Sequence, residues 1–306
     1  MKDFKKMIIP LLMISAMLMT TGCFKNYDDV DATLGDNSEN VFIPGASDGS
    51  GEEAVETDVR PVNEFEKYYY INKGTIQYSN RLFLPQKSGK HPVVIFSPEA
   101  GSLGKNYYEL ARKFSENGYA VFVPEPNIEM EARDDFFSNQ VDQIDKLINL
   151  VKDIPELDPD KIVMSGEGFG AYESMVAVAK DPSRIKGAFY YNPDLDLAED
   201  VAVKYGNMES IPDDNETGIP KEIIKDMLSV DYKKILASNT EKMYVFRGEY
   251  KTPEFKDQYT ALLKLIPNVT DEELPEKDFN FRIFMRSGEQ GDMFDKAVAF
   301  INDILS

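Results

Sequence analysis

Short, largely apolar runs constrain this chain more than any other feature. They are Pro92–Phe96, Tyr119–Val123, Lys161–Ser165 and Ile185–Tyr191. Runs of this length fit strands buried on both faces, where no polar alternation is needed. Helical patterns lie between and after them. Residues 106–117 put Tyr107, Leu110, Ala111 and Phe114 on one face, and Gly118 follows as a helix stop. Residues 137–151 repeat Val141, Ile144, Leu147, Ile148 and Val151 at helical spacing. Further helices are expected at Phe169–Lys180 and Met293–Leu305, and further strands at Met243–Phe246 and Phe279–Met285. Ahead of these, Tyr68–Ile71 and Thr75–Leu84 read as strands around the turn Asn72-Lys73-Gly74. The alternation predicts an α/β fold: a mostly parallel sheet with helices on both faces. Residues 196–239 interrupt it and are expected to form a cap or lid above the C-terminal ends of the strands.

The N-terminus reads differently. Lys2, Lys5 and Lys6 precede an apolar run from Met7 to Met19, which Thr20-Thr21-Gly22-Cys23 closes. The run is too short for a mature membrane helix and suits a signal-peptide core. The small residue before Cys23 resembles the lipobox of bacterial lipoproteins, although Thr20 stands where Leu is usual. That resemblance implies removal of residues 1–22, acylation of Cys23 with palmitate-type chains, and an extracytoplasmic protein anchored to a bacterial membrane. Residues 23–60 are rich in Asp, Glu and Gly and poor in apolar groups, so they are expected to be a flexible acidic tether. Residues 61–306 are expected to form the folded domain.

Composition excludes several function classes. Lys plus Arg is 34 against 54 Asp plus Glu, a formal charge of −20 in 306 residues. Such a chain repels phosphate backbones, so no nucleic-acid partner is expected. A single Cys rules out a disulfide framework and a Cys-based zinc site. A single His leaves one imidazole for any Ser-His-Asp chemistry. That residue, His91, precedes the strand at Pro92 and is expected on a surface loop at the wrong end of the sheet. No metal site and no cofactor are expected.

Gly166-Glu167-Gly168-Phe169-Gly170 stands between the strand at Lys161 and the helix at Phe169. Read as Gly-x-Gly-x-x-Ala through Ala171, it also matches a dinucleotide fingerprint. It does not open the sheet, however, and Asp194 lies beyond the usual acid spacing. With Val93–Gly101, Leu110-Ala111, Asn117–Val121, Leu157–Val163 and Asp181–Ala188, it resembles the α/β-hydrolases. Within them it particularly resembles the dienelactone-hydrolase and platelet-activating-factor-acetylhydrolase-like branch. The resemblance covers roughly 75–305 and implies a site at the C-terminal ends of the strands, with a Gly-x-Ser-x-Gly nucleophile elbow.

In this chain the nucleophile position is Gly168. The acid position after the strand at Met243 falls on Lys251, with Asp194 or Asp196 as substitutes. The histidine position falls on Gln290. The backbone N–H groups of Phe169 and Ala100 would remain as oxyanion donors, but Glu99 and Glu167 beside them repel an anion. The expectation is a pseudo-hydrolase that binds a small ligand or a protein partner. Its candidate pocket residues are Glu99, Ala100, Glu167, Phe169 and Asp194. The alternative is an ester- or lactone-hydrolase working through Glu99, Glu167, Asp194 and Asp292. Tyr68, Tyr69 and Tyr70 are candidate contact residues for a partner.

Overall fold

The computed structural model describes residues 57–73, 76–99, 102–125, 135–195, 208–211, 221–249, 253–278 and 291–306. Its centre is a nine-stranded sheet in the order β1-β2-β3-β5-β4-β6-β7-β8-β9. The strands are β1 (Thr57–Asn63), β2 (Glu66–Lys73), β3 (Ile76–Phe83), β4 (His91–Ser97), β5 (Ala120–Glu125), β6 (Leu157–Glu167), β7 (Gly187–Tyr191), β8 (Lys242–Glu249) and β9 (Val269–Asp278). From β1 to the β3–β5 pair, neighbours run antiparallel. From β5 onward every neighbour is parallel.

The described helices are α1 (Tyr108–Glu116), α2 (Phe136–Leu150), α3 (Gly168–Lys180), α4 (Lys221–Leu228), α5 (Tyr232–Ser238), α6 (Pro253–Leu263) and α7 (Gly291–Leu305). They divide between the two faces of the sheet. On one face Val141, Ile144 and Leu147 of α2, Tyr172 and Met175 of α3 and Tyr259 of α6 join one apolar cluster. On the other, Leu110 and Phe114 of α1 meet Met293, Phe294 and Ala297 of α7. Helix α3 is buried on every side along most of its length. A helix apolar all round belongs in a core, and here it sits between the sheet and the outer helices.

The connections fix where a site can lie. From β4 the chain crosses through α1 to β5 on one side. It then returns through α2 to β6 on the other side of β4. The loops leaving β4 and β6 therefore diverge, and such a switch point opens a crevice at the carboxyl ends of neighbouring parallel strands.

Several expectations need correction. Strand β1 takes residues 57–60 out of the expected tether, so the sheet begins before residue 61. It also covers β2, so the strand that carries the candidate contact residues Tyr68–Tyr70 is paired on both sides. Tyr69 is buried in the core, while Tyr68 and Tyr70 are half-buried and stacked 5.8 Å apart beneath arginines. His91 is buried as the first residue of β4 rather than exposed on a loop, and its N–H donates to the Glu156 carbonyl at 2.9 Å. The strand after β8 is Val269–Asp278. The expected strand at 279–285 lies outside the described residues, as do residues 1–56 with Cys23. Of the expected cap, 208–211 and helices α4 and α5 are described.

Candidate active site

The elbow between β6 and α3 is built by backbone clearance. Gly168 has φ +52°, in the left-handed region that residues with a Cβ seldom adopt. Two residues on, Gly170 faces the end of β4. A Cβ there would meet the Ser97 carbonyl oxygen at 2.7 Å and the Pro98 carbonyl carbon at 2.8 Å, with the Pro98 oxygen nearer still. Gly166 has the same relation to the Ser97 oxygen, at 2.9 Å. The glycine frame thus lets α3 start against the backbone of the neighbouring strand.

Position 168 has no side chain, yet its space is not open. A Cβ built there would lie 2.6 Å from Cδ and 3.2 Å from Oε1 of Glu99, with Oε2 within a covalent bond length. The Glu99 carboxylate therefore fills the volume that a nucleophile's side chain would occupy. It gets there because its loop is tied down. The Glu99 N–H donates to the Tyr107 hydroxyl oxygen at 3.3 Å, and the Glu99 carbonyl accepts from the Ser102 N–H at 2.9 Å.

Tyr107 in turn donates its hydroxyl to Glu167 Oε2 at 2.7 Å. Both side chains are buried, Tyr107 at 2% and Glu167 at 3% exposure, so the hydrogen bond offsets much of the cost of enclosing a carboxylate. Burial, and next the charge of Glu167, push the Tyr107 phenol well above its ordinary range. It stays a donor at any neutral pH. Beside it, at the end of β7, Tyr191 pairs with Glu167 across the parallel ladder. Burial, and then the same carboxylate, raise the Tyr191 phenol too.

The structure brings Glu99, Glu167, Gly168 and the backbone of Phe169 and Asp194 together at the elbow, while the Phe169 ring packs into the core 5.7 Å from Phe137. Asp194 reaches it through the backbone, its N–H donating to the Gly168 carbonyl at 3.0 Å. Asn192, just before it, is held at φ +40°, and its side chain accepts from the Gly248 N–H at 2.9 Å. That bond ties the ends of β7 and β8 together. Ser165 is fully buried within β6 and takes no part in the elbow. His91 starts β4, at the strand end opposite Ser97. Ala100, Lys251 and Gln290 lie outside the described residues. Among the described residues no group of three or more His, Cys, Asp or Glu could hold a metal ion.

Sequence reasoning missed Tyr107 as part of the site and assigned it to the apolar face of a helix. Its ring does pack there, 5.1 Å from Phe96. Only the hydroxyl enters the site, and nothing in the spacing of residues 106–117 marks that.

A strand-to-helix elbow of this geometry, at the switch point of such a sheet, has known counterparts. The family model described as the dienelactone hydrolase family matches residues 79–208. Est1E from Butyrivibrio proteoclasticus superposes with a TM-score of 0.62 at 16% identity, over 78% of this chain and 98% of its own. The chain has the α/β-hydrolase fold. Acetyl xylan esterase 1 from Thermoanaerobacterium sp. JW/SL YS485 shares the fold at 15% identity and a TM-score of 0.54, over 88% of this chain and 89% of its own. No curated protein sequence matches the chain. Among α/β-hydrolases the elbow presents a nucleophile. Here its backbone is kept and a glycine stands at its apex.

Proposed function

We propose that this α/β-hydrolase domain is a pseudo-hydrolase that captures a ligand or a protein partner on a bacterial membrane surface. One observation carries the reading. The apex residue is Gly168, and the space of its missing side chain is taken by the Glu99 carboxylate. Serine-type acyl transfer needs a nucleophile and a base within hydrogen-bond reach of it. The chain's one imidazole, on His91, belongs to the far end of β4. The lipobox-like stretch before Cys23 and the acidic residues after it support a lipid-anchored extracytoplasmic protein.

A second reading has an observation of its own. The Glu99 carboxylate that fills the nucleophile position can serve as a general base, and the fold is shared with esterases. In that reading Glu99 takes a proton from water as the water adds to an ester or lactone carbonyl. The proton then passes to the departing alkoxide.

Turnover of short-chain p-nitrophenyl esters by the detergent-solubilised full chain separates the two. The pseudo-hydrolase reading expects background rates for the wild type and for Gly168→Ser, since no imidazole is placed to activate the new hydroxyl. Robust turnover abolished by Glu99→Gln would overturn it in favour of the second. For the anchor, Cys23→Ser should move the protein from the membrane fraction to the soluble one.

A further inference from the structure

We propose that a polar cavity behind the elbow, enclosed by β4, β5, α2 and α3, is a seat for an ammonium group, either the free ion or the head of a primary amine.

Ser97 at the end of β4, Pro98 after it, Pro124 of β5, Gln140 and Gln143 of α2 and Glu173 of α3 line the cavity. It has room for a single occupant about the size of water or ammonium. It is separate from the space at position 168, which Glu99 fills. Its polar side chains are deep in the molecule: Ser97, Gln140, Gln143 and Glu173 are each no more than 7% exposed. Enclosing such groups costs free energy unless they are hydrogen-bonded. Yet Gln140 Oε1 is buried with no hydrogen-bond partner among the described residues.

The rest of the lining accepts hydrogen bonds and scarcely donates them. Both prolines lack an N–H. Gln143 spends its amide N–H groups on the Ser79 carbonyl at 3.1 Å and on Asn80 Oδ1 at 2.8 Å, so only its oxygen is left to offer. Glu173 adds a carboxylate. Ser97 Oγ accepts from the Ser174 hydroxyl at 2.8 Å, and a hydroxyl can turn to donate or to accept. The occupant must therefore bring donors, and a positive charge complements Glu173. Water brings two donors and no charge. Ammonium brings four donors, to be shared among the oxygens of Gln140, Gln143, Glu173 and Ser97, and a charge. A divalent cation would ask for more carboxylates than the one present. Bound there, ammonium joins β4 to α3 just behind the elbow, where Ser97 pairs with Gly166.

The test uses the full chain in detergent, with ammonium chloride as the probe and sodium chloride at equal ionic strength as the reference. Ammonium should raise the thermal midpoint by about 4 °C at ten times its dissociation constant. Potassium is close to ammonium in size but has no N–H, and its rise should be much smaller. Tetramethylammonium is too large and should give none. Methylammonium separates the two sources. A rise matching that of ammonium assigns the seat to the head of a primary amine, and no rise assigns it to the free ion. Equal rises in potassium and ammonium would overturn the proposal. So would no rise in ammonium, which would leave the cavity to water.

Two variants locate the effect. Glu173→Gln keeps the shape and removes the charge, and Gln140→Met removes the unpartnered oxygen at similar volume. Each should weaken the ammonium response about tenfold or more. An undiminished response in both would place the ion elsewhere and sink the idea. If either variant fails to fold, the wild type still carries the test. Nitrogen-15-labelled ammonium enclosed in the cavity should exchange its protons slowly and give a proton–nitrogen signal distinct from that of the free ion. The absence of that signal at saturating ammonium would also count against the seat. None of these readouts involves ester turnover, so the proposal stands or falls apart from the pseudo-hydrolase reading.

Discussion

The elbow and the antiparallel margin of the sheet are held by different forces. At the elbow, backbone packs on backbone: α3 starts against the Ser97 and Pro98 carbonyls, and only glycine fits. At the margin, long side chains do the holding. Arg81 donates to Glu66 at 2.5 Å and lies 4.4 Å above the Tyr68 ring. Arg112 donates to the other Glu66 oxygen at 3.0 Å. Tyr108 lies within hydrogen-bond reach of Tyr68, at 3.2 Å, and donates to Glu125. The first contact, α3 on the end of β4, is a matter of volume. The second arrangement is a matter of charge and changes with pH. The elbow therefore keeps its shape with a glycine at position 168, because backbone contacts rather than that residue's side chain hold it.

The sharpest break in that comparison is Gly170→Ala. One methyl group must displace the Pro98 carbonyl or the start of α3, and neither is a flexible side chain. We expect a loss of about 3 kcal/mol or more in urea unfolding, at the top of the range for overpacked cores because the obstacle is backbone. A loss below about 1 kcal/mol would show that the two backbones are not locked together.

Arg81→Met comes next and probes the margin. The variant keeps much of the apolar stem and removes the charge. Glu66 then keeps Arg112 as its remaining guanidinium partner. Breaking one side of a buried pair costs about 3–5 kcal/mol. With Arg112 still in place, about 2–3 is expected, read from the same urea curves. An effect near zero would mean that the aromatic stack alone holds the margin.

These contrasts also explain what the sequence made legible. The parallel strands and their helices could be read because each carries its own apolar period, as Val93–Phe96 and the stripe of α2 do. The glycine frame could be read because the tight turn needs those residues in order. Strand β9 could not, because Asp271, Glu272 and Glu273 give it the look of a loop. Their partners come from elsewhere in the chain: Arg247 reaches Asp271 at 2.8 Å and Glu273 at 2.6 Å, and Lys296 reaches Glu272. Likewise Glu99 stood out as an acid near the elbow, but its place over Gly168 depends on the close approach of β4 to α3. That approach joins residues about seventy positions apart, and no local pattern records it.

Tyr107→Phe crosses from one regime to the other. It leaves the ring packed on Phe96 and removes the donor to Glu167. Leaving a buried carboxylate short of one hydrogen bond should cost about 2 kcal/mol at neutral pH. The loss should reach the elbow, unlike that of Arg81→Met. Amide exchange at the start of α3 should therefore quicken in Tyr107→Phe and stay unchanged in Arg81→Met.

The smallest effects are those of pH at the margin, where two neighbouring glutamates titrate in opposite directions. Burial raises the carboxyl of Glu66, but the Arg112 and Arg81 guanidiniums outweigh it and hold the group below its ordinary value. The unfolded chain therefore takes up this proton first. Glu66 contributes stability above the ordinary carboxyl pKa, and that contribution is lost as pH falls through the folded value. Glu125 behaves the other way. Burial raises its carboxyl above the ordinary value, against the opposing pull of the Ser79 hydrogen bond and Arg81. Its contribution is present at low pH and is lost as pH rises through the folded value. Glu66→Gln should therefore be less stable than the wild type at pH 7, with the gap closing on acidification. Glu125→Gln should lie within about 1 kcal/mol of the wild type at pH 7, on the stable side, and its gap should also close as the wild-type carboxyl protonates. Gaps of the same sign in the two variants would mean that the margin responds to net charge alone. Opposite signs would show that each carboxylate answers to its own surroundings, one facing arginines and the other enclosed beside tyrosine and serine hydroxyls.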